Sequence, residues 1–235
     1  MMAGALACLL AIGSSFAASG SGSSGTTTTV PTGTLTVDRD LMRVGNKSQL
    51  TWNISYPASN VTNIVDIITP NTVKPKQDLT MKVRVLGASF QESILSFLPV
   101  EVDMSKNNGA WTRIFYGLQS AVLPNLVLST TTVKKGDLIN IGGRGYRDGG
   151  WLPLYNTASS TKNLVMLKNG DTVPSEVPAL NGISIETFLK PYMDTTTKKV
   201  KIGDRDLIYL MELGQTDPNN SGFDLQDLVV LVTFE

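Results

Sequence analysis

The sequence predicts an all-β fold, a jelly-roll-like β-sandwich with one short helix. Short apolar runs recur at near-regular spacing between Gly, Asn and Pro punctuation, the mark of many short strands. The two most apolar runs, Asp206–Leu213 and Asp227–Phe234, do not alternate, so each is expected to be a central strand covered on both faces. The short helix is expected at SIETFLKPYM, residues 184–193, with Ser184 as N-cap and Pro191 as breaker.

Along the chain, MMAGALACLLAIGSSFA (1–17) reads as a signal peptide, with Ser15-Phe16-Ala17 as a small-x-small cleavage site. Residues 18–33 form a Ser/Gly/Thr linker too poor in apolar surface to order itself. Residues 34–76 hold the N-terminal strands: two β-type runs joined at Gly45-Asn46, with Trp52 in a core, then NVTNIVDII as a third. They form either a separate domain or part of the main sandwich, which is assigned to 77–235.

MKVRVLG (81–87) alternates as a half-exposed strand does. Ser89 to Glu92 match a capping box ahead of a helical turn ending at Pro99. VEVDMSKNNGAWTRIFYG is a hairpin about Asn107-Asn108-Gly109, with Asn-Gly supplying positive φ. Further strands are expected at 125–128, 137–141 and 163–167.

Twenty basic and twenty acidic side chains cancel, so no net charge draws the chain to nucleic acid. No histidine is present, which removes the commonest general base and every His-containing triad. The one cysteine, Cys8, lies in the signal segment, so the mature chain has no disulfide and no thiol chemistry. Asp204 and Asp206 pair as carboxylates only in the way a turn does, and no SxxK occurs, so an enzyme is not expected. These features describe an exported protein of a bacterial envelope or the extracellular space, with no membrane insertion after signal cleavage.

Two segments carry candidate chemistry. In DPNNSGFDLQD (217–227), Asp217, Asn219 and Ser221 stand at the first, third and fifth places of a calcium loop, with Gly222 at the turn. The EF-hand pattern then fails, because Leu228 stands where the closing Glu belongs and a strand follows. A different closure would use Asp224 and Asp227, helped by Asp204 or Asp206 and by Glu212. The same residues also describe an ordinary exposed turn, since Asp and Asn bond their own backbone. The second segment, INIGGRGYRDGGWLPLYN, reads as an exposed Gly-rich loop offering Arg144, Tyr146, Arg147 and Trp151 to a carbohydrate. It lacks the P-loop pattern, so phosphate binding is not expected.

The closing segment FDLQDLVVLVTF resembles the end of an uncharacterised family of secreted bacterial β-sandwich domains, which close with Asp-aromatic-Asn-Asp and an apolar strand. The likeness covers residues from about 201 to 235, with LKNGDTVP a weaker echo. It implies a calcium-associated surface domain in which Asp224 and Asp227 take the two acidic positions and Glu212-Leu213 the preceding strand end. Leu225 and Gln226 depart from the family's aromatic and Asn, so the amide ligand is in question. Residues 34–57 resemble the opening strands of bacterial immunoglobulin-like domains. The expected protein is therefore a non-catalytic cell-surface β-sandwich with a structural Ca2+ site and a glycan or surface-protein partner. Two alternatives remain open: a carbohydrate-binding module, or a self-assembling structural subunit.

Overall fold

The computed structural model describes residues 32–37, 50–55, 60–93, 96–174, 190–194 and 196–235. The signal segment, the Gly45-Asn46 turn, residues 184–189 of the expected helix and the Trp52 side chain lie outside the described residues. Two compact units divide at Pro57/Ala58. In the first, β1 (Thr32–Val37) and β2 (Leu50–Ser55) pair antiparallel.

The second unit is an antiparallel β-sandwich. It opens with a three-residue 3-10 turn at Val61–Asn63, capped by the Asn60 side chain. β3 (Val65–Ile68) and β4 (Thr72–Pro75) follow, and β4 joins the sheet of the main domain. Residues 60–76 therefore belong with the sandwich, and the division falls at 57/58, not at 76. β5 (Leu79–Gly87) alternates buried and half-buried residues until Val85, then is covered on both faces.

The capping box at Ser89 does not start a helix. β6 (Gln91–Ser93) pairs antiparallel with β7 (Ser96–Phe97). The Ser89 hydroxyl instead donates to the Gln226 carbonyl, 2.6 Å away, so a distant partner overrides the local signal. β8 (Val100–Lys106) and β9 (Thr112–Gly117) make the expected hairpin. Its turn places the positive φ on Asn107 and Asn108, and Gly109 receives the closing position, bonding the Lys106 carbonyl.

Residues 125–128 are not a strand. Leu123-Pro124-Asn125-Leu126 closes a turn, with Pro and Asn in the central places that suit them. The strand comes one step later, as β10 (Ser129–Val133). β11 (Ile139–Arg147) carries two short partners, β12 (Gly150–Trp151) and β13 (Tyr155–Asn156). β14 (Leu164–Lys168) lies close to where the sequence places a strand. In the expected helix the described part is a 3-10 turn, Lys190–Tyr192, leading into β15 (Met193–Asp194), which pairs β16 (Lys199–Val200). β17 (Asp206–Met211) and β18 (Leu228–Phe234) complete the chain.

One sheet runs β10-β5-β18-β17-β14; the other runs β3-β4-β11-β8-β9. Their facing sides bury one core, in which Val83, Tyr209 and Val232 meet Val102 and Ile141. The outward residues of β17 and β18, Ile208, Leu210, Val229 and Leu231, sit with Leu167 of β14 in a second core that also holds Val173, Met193, Phe223 and Leu225. Burial on two sides is what the unbroken apolar runs required, each large side chain contributing about 1.5–3 kcal/mol. No helix among the described residues is long and apolar enough to cross a membrane.

Candidate functional site: a buried carboxylate cavity and an arginine–aromatic ladder

β17 and β18 are antiparallel neighbours with Leu210 opposite Val229, so Glu212 and Asp227 emerge at the same end of the sheet. The chain between them loops out and returns. Leu225 takes a left-handed backbone (φ 50°), which breaks strand alternation just before β18. Its side chain enters the outer core, while Asp224, Gln226 and Asp227 line one cavity together with Glu212.

The cavity measures about 130 Å³. Donor oxygens of Glu212, Asp224 and Asp227 lie within 4.8 Å of one another. All are buried, with exposures of 1%, 4% and 8%, and Gln226 is 3% exposed. Glu212 Oε1 accepts from the Gly214 and Gln215 amides at 2.7 Å, and its Oε2 from the Asp224 amide at 3.1 Å. Asp227 Oδ2 accepts from the Leu213 amide at 2.7 Å, and Asp224 Oδ1 from the Gln226 amide at 3.2 Å. Asn163 Nδ2 holds the loop base by donating to the carbonyls of Glu212 and Gln215. Gln226 Oε1 is buried and has no hydrogen-bond partner.

Burial, reinforced by Glu212, pushes Asp224 up to about 7. Burial and then the Glu212 charge push Asp227 well above the usual carboxylate range. These groups resist ionising together without a counter-charge. Among the described residues, Arg147 is the one cationic side chain lining the cavity.

The eight residues expected at a metal site thus divide. Glu212, Asp224 and Asp227 converge. Asp217, Asn219 and Ser221 do not: they form an exposed turn in which Asp217 Oδ1 accepts from the Asn219 amide and side chain. Asp204 and Asp206 stand at the other end of β17, roughly 20 Å from Glu212 at about 3.3 Å per strand residue. Asp206 closes its own turn by accepting from the Gly203 amide, and Asp204 accepts from the Asn169 side chain. The expected tie between the 217–227 segment and the 203–206 turn is therefore absent, because the strand between them is straight. Gln226 is the residue that sequence reasoning undervalued.

The Gly-rich segment is not a loop. Residues 139–147 are the central strand β11, and only Asp148-Gly149, both with positive φ, make the turn into β12. Gly143 is buried against the facing sheet, and Gly145 against Phe90, which a Cβ on Gly145 would meet at 2.4 Å. Arg144 and Tyr146 instead face outward within a cross-strand row. Tyr116 lies opposite Glu101, Glu101 opposite Arg144, and Tyr146 opposite Trp151. Glu101, 2% exposed, binds Arg144 at 2.8 Å and Arg113 at 2.5 Å. The Arg144 guanidinium lies 4.5 Å from the Trp151 ring centre. Burial and the Glu101 charge push Asp103 up to about 6. Arg147 does not join this row; it lines the carboxylate cavity and meets Asp148 at 3.6 Å. Tyr116, Arg113 and Glu101 were not anticipated, although the alternation of VEVDMSK places Glu101 and Asp103 on one face.

No family model matches the chain, and neither a curated protein nor a solved structure matches it.

Proposed function

We propose that this is an exported, non-catalytic β-sandwich of a bacterial surface or extracellular matrix, and that its carboxylate cavity holds Ca2+ as a structural ion. The observation that carries the reading is Gln226 Oε1, a buried acceptor without a donor, in one cavity with three buried carboxylates. Such an acceptor costs about 1–3 kcal/mol unless something binds it, and a cation does so while relieving the carboxylates. Three carboxylates against the Arg147 guanidinium leave two negative charges, which a divalent ion balances.

The donors are all hard oxygens, which favours Ca2+, Mg2+ or Mn2+ over softer metals. Calcium takes about six to eight oxygens in flexible geometry, whereas magnesium prefers one or two carboxylates and its own water. The cavity has room for a few waters beside the ion, at about 30 Å³ each. Export is supported by the apolar leader and the Ser/Gly/Thr segment after it.

Thermal unfolding of the full chain in millimolar Ca2+, in Mg2+ and in chelator tests the ion. A midpoint several degrees higher in Ca2+ than in either alternative is expected, and Asp227→Asn removes that difference. Equal midpoints in all three would overturn the reading.

A further inference from the structure

The outer face of the second sheet carries a row of groups that the cavity does not use. Tyr116 and Trp151 are 52% and 37% exposed although each takes part in ring contacts. Their centroids lie 5.8 Å apart at 68°, and Tyr146 meets Trp151 at 5.2 Å and 75°. Arg113 lies 5.3 Å from the Tyr116 ring centre and 5.9 Å from that of Trp151.

We infer that Tyr116, Trp151 and the Arg113 guanidinium form a binding site for one residue of a soluble, neutral carbohydrate chain. Aromatic faces pack against the C–H faces of a pyranose, and a guanidinium edge donates to its hydroxyls. The rings stand at steep angles, so they make a corner and not the flat strip that a crystalline polysaccharide surface needs. Two arginines, Arg113 and Arg144, are matched by two carboxylates, Glu101 and Asp103, which lie beneath them in the same strand rows. The surface therefore offers hydrogen-bond donors without excess charge, which fits a neutral sugar better than an acidic one. The buried Glu101 pairs with both guanidiniums beside the rings, which reduces the side-chain freedom to be lost on binding. The site lies apart from the carboxylate cavity in its lining residues and needs no metal.

The test is calorimetric titration of the full chain, in chelator, with a panel of soluble neutral oligosaccharides (glucans of β-1,3, β-1,4 and α-1,4 linkage, and mannan) and with polygalacturonate. Binding of at least one neutral member is expected. Tyr116→Ala and Arg113→Gln are each expected to weaken it by about tenfold. Failure of every neutral member to bind, preference for polygalacturonate, or binding unchanged in Tyr116→Ala would each overturn the inference. Circular dichroism melting of both variants identifies any loss that comes from unfolding, and a Tyr116→Phe variant, which keeps the ring, should then retain binding.

Discussion

Gln226 and Asp227 are adjacent, and substitution of either is expected to act in opposite senses with and without Ca2+. Asp227 is a buried carboxylate beside two others, so without an ion its charge opposes folding. Asparagine keeps the oxygen that accepts from Leu213 and discards the charge. Asp227→Asn should therefore match or exceed the wild-type melting midpoint in chelator and fall below it in Ca2+. Gln226→Leu removes a buried acceptor that has no donor, so it should raise the chelator midpoint. In Ca2+ it should weaken ion affinity, read by calorimetry. If Gln226→Leu bound Ca2+ as tightly as wild type, Gln226 would not be a ligand. A carboxylate far from this site shows the usual sign. Lys106, then Asn107 and the Lys134 amide, hold Asp137 down at about 2, despite the opposing effect of burial. Its folded value lies below the ordinary one, so its stabilisation is present above about pH 4 and is lost as pH falls through about 2. Wild type should lose midpoint relative to Asp137→Asn over that window, and parallel curves would count against the assignment.

Among the elements, the β8–β9 hairpin and the strands β17 and β18 could be read directly from the sequence, because their signals are local: a turn dipeptide in one case and an unbroken apolar run in the other. Asn107 and Asn108 both occupy left-handed backbone (φ 55° and 56°), a conformation that costs a β-branched residue about 1–2 kcal/mol. Asn108→Val should lose about that much in chemical denaturation, and Asn108→Gly should lose nothing; equal losses would show that the side chain, not the backbone, matters. The elements that could not be read share a physical cause. Ser89 has a helix-cap pattern but donates to a carbonyl 137 residues away. Leu225 looks like one more apolar strand residue, yet its positive φ turns Asp224, Gln226 and Asp227 toward a common cavity. Spacing along the chain placed Asp217, Asn219 and Ser221 together as ligands, whereas the strand register brought in Glu212. All three carboxylates of the site were visible as residue types and Gln226 was set aside, while pairing across the sheet decided which of the eight candidates meet.

At the scale of the whole molecule, the two sheets come into close contact where β11 has Gly143. A strand glycine reads equally well as a turn or as a close approach, and this ambiguity made residues 139–147 resemble a loop. A Cβ on Gly143 would stand 2.5 Å from Leu228 Cδ2 and 2.6 Å from Met211 Sδ. Those two residues immediately flank the carboxylate cluster: Met211 precedes Glu212 and Leu228 follows Asp227. The bare backbone of β11 thus sets the height at which the ends of β17 and β18 sit, and with it the separation of Glu212 from Asp227. Gly143→Ala should push both neighbours away, at a cost of about 1–3 kcal/mol in chemical denaturation. Because the displaced atoms adjoin the ligands, the loss should be larger in Ca2+ than in chelator. Gly136→Ala, with open space around its Cβ but a backbone at φ 86°, should instead lose equally under both conditions. If Gly143→Ala behaved like Gly136→Ala, the spacing of the sheets would be a matter of packing alone, with no hold on the ion.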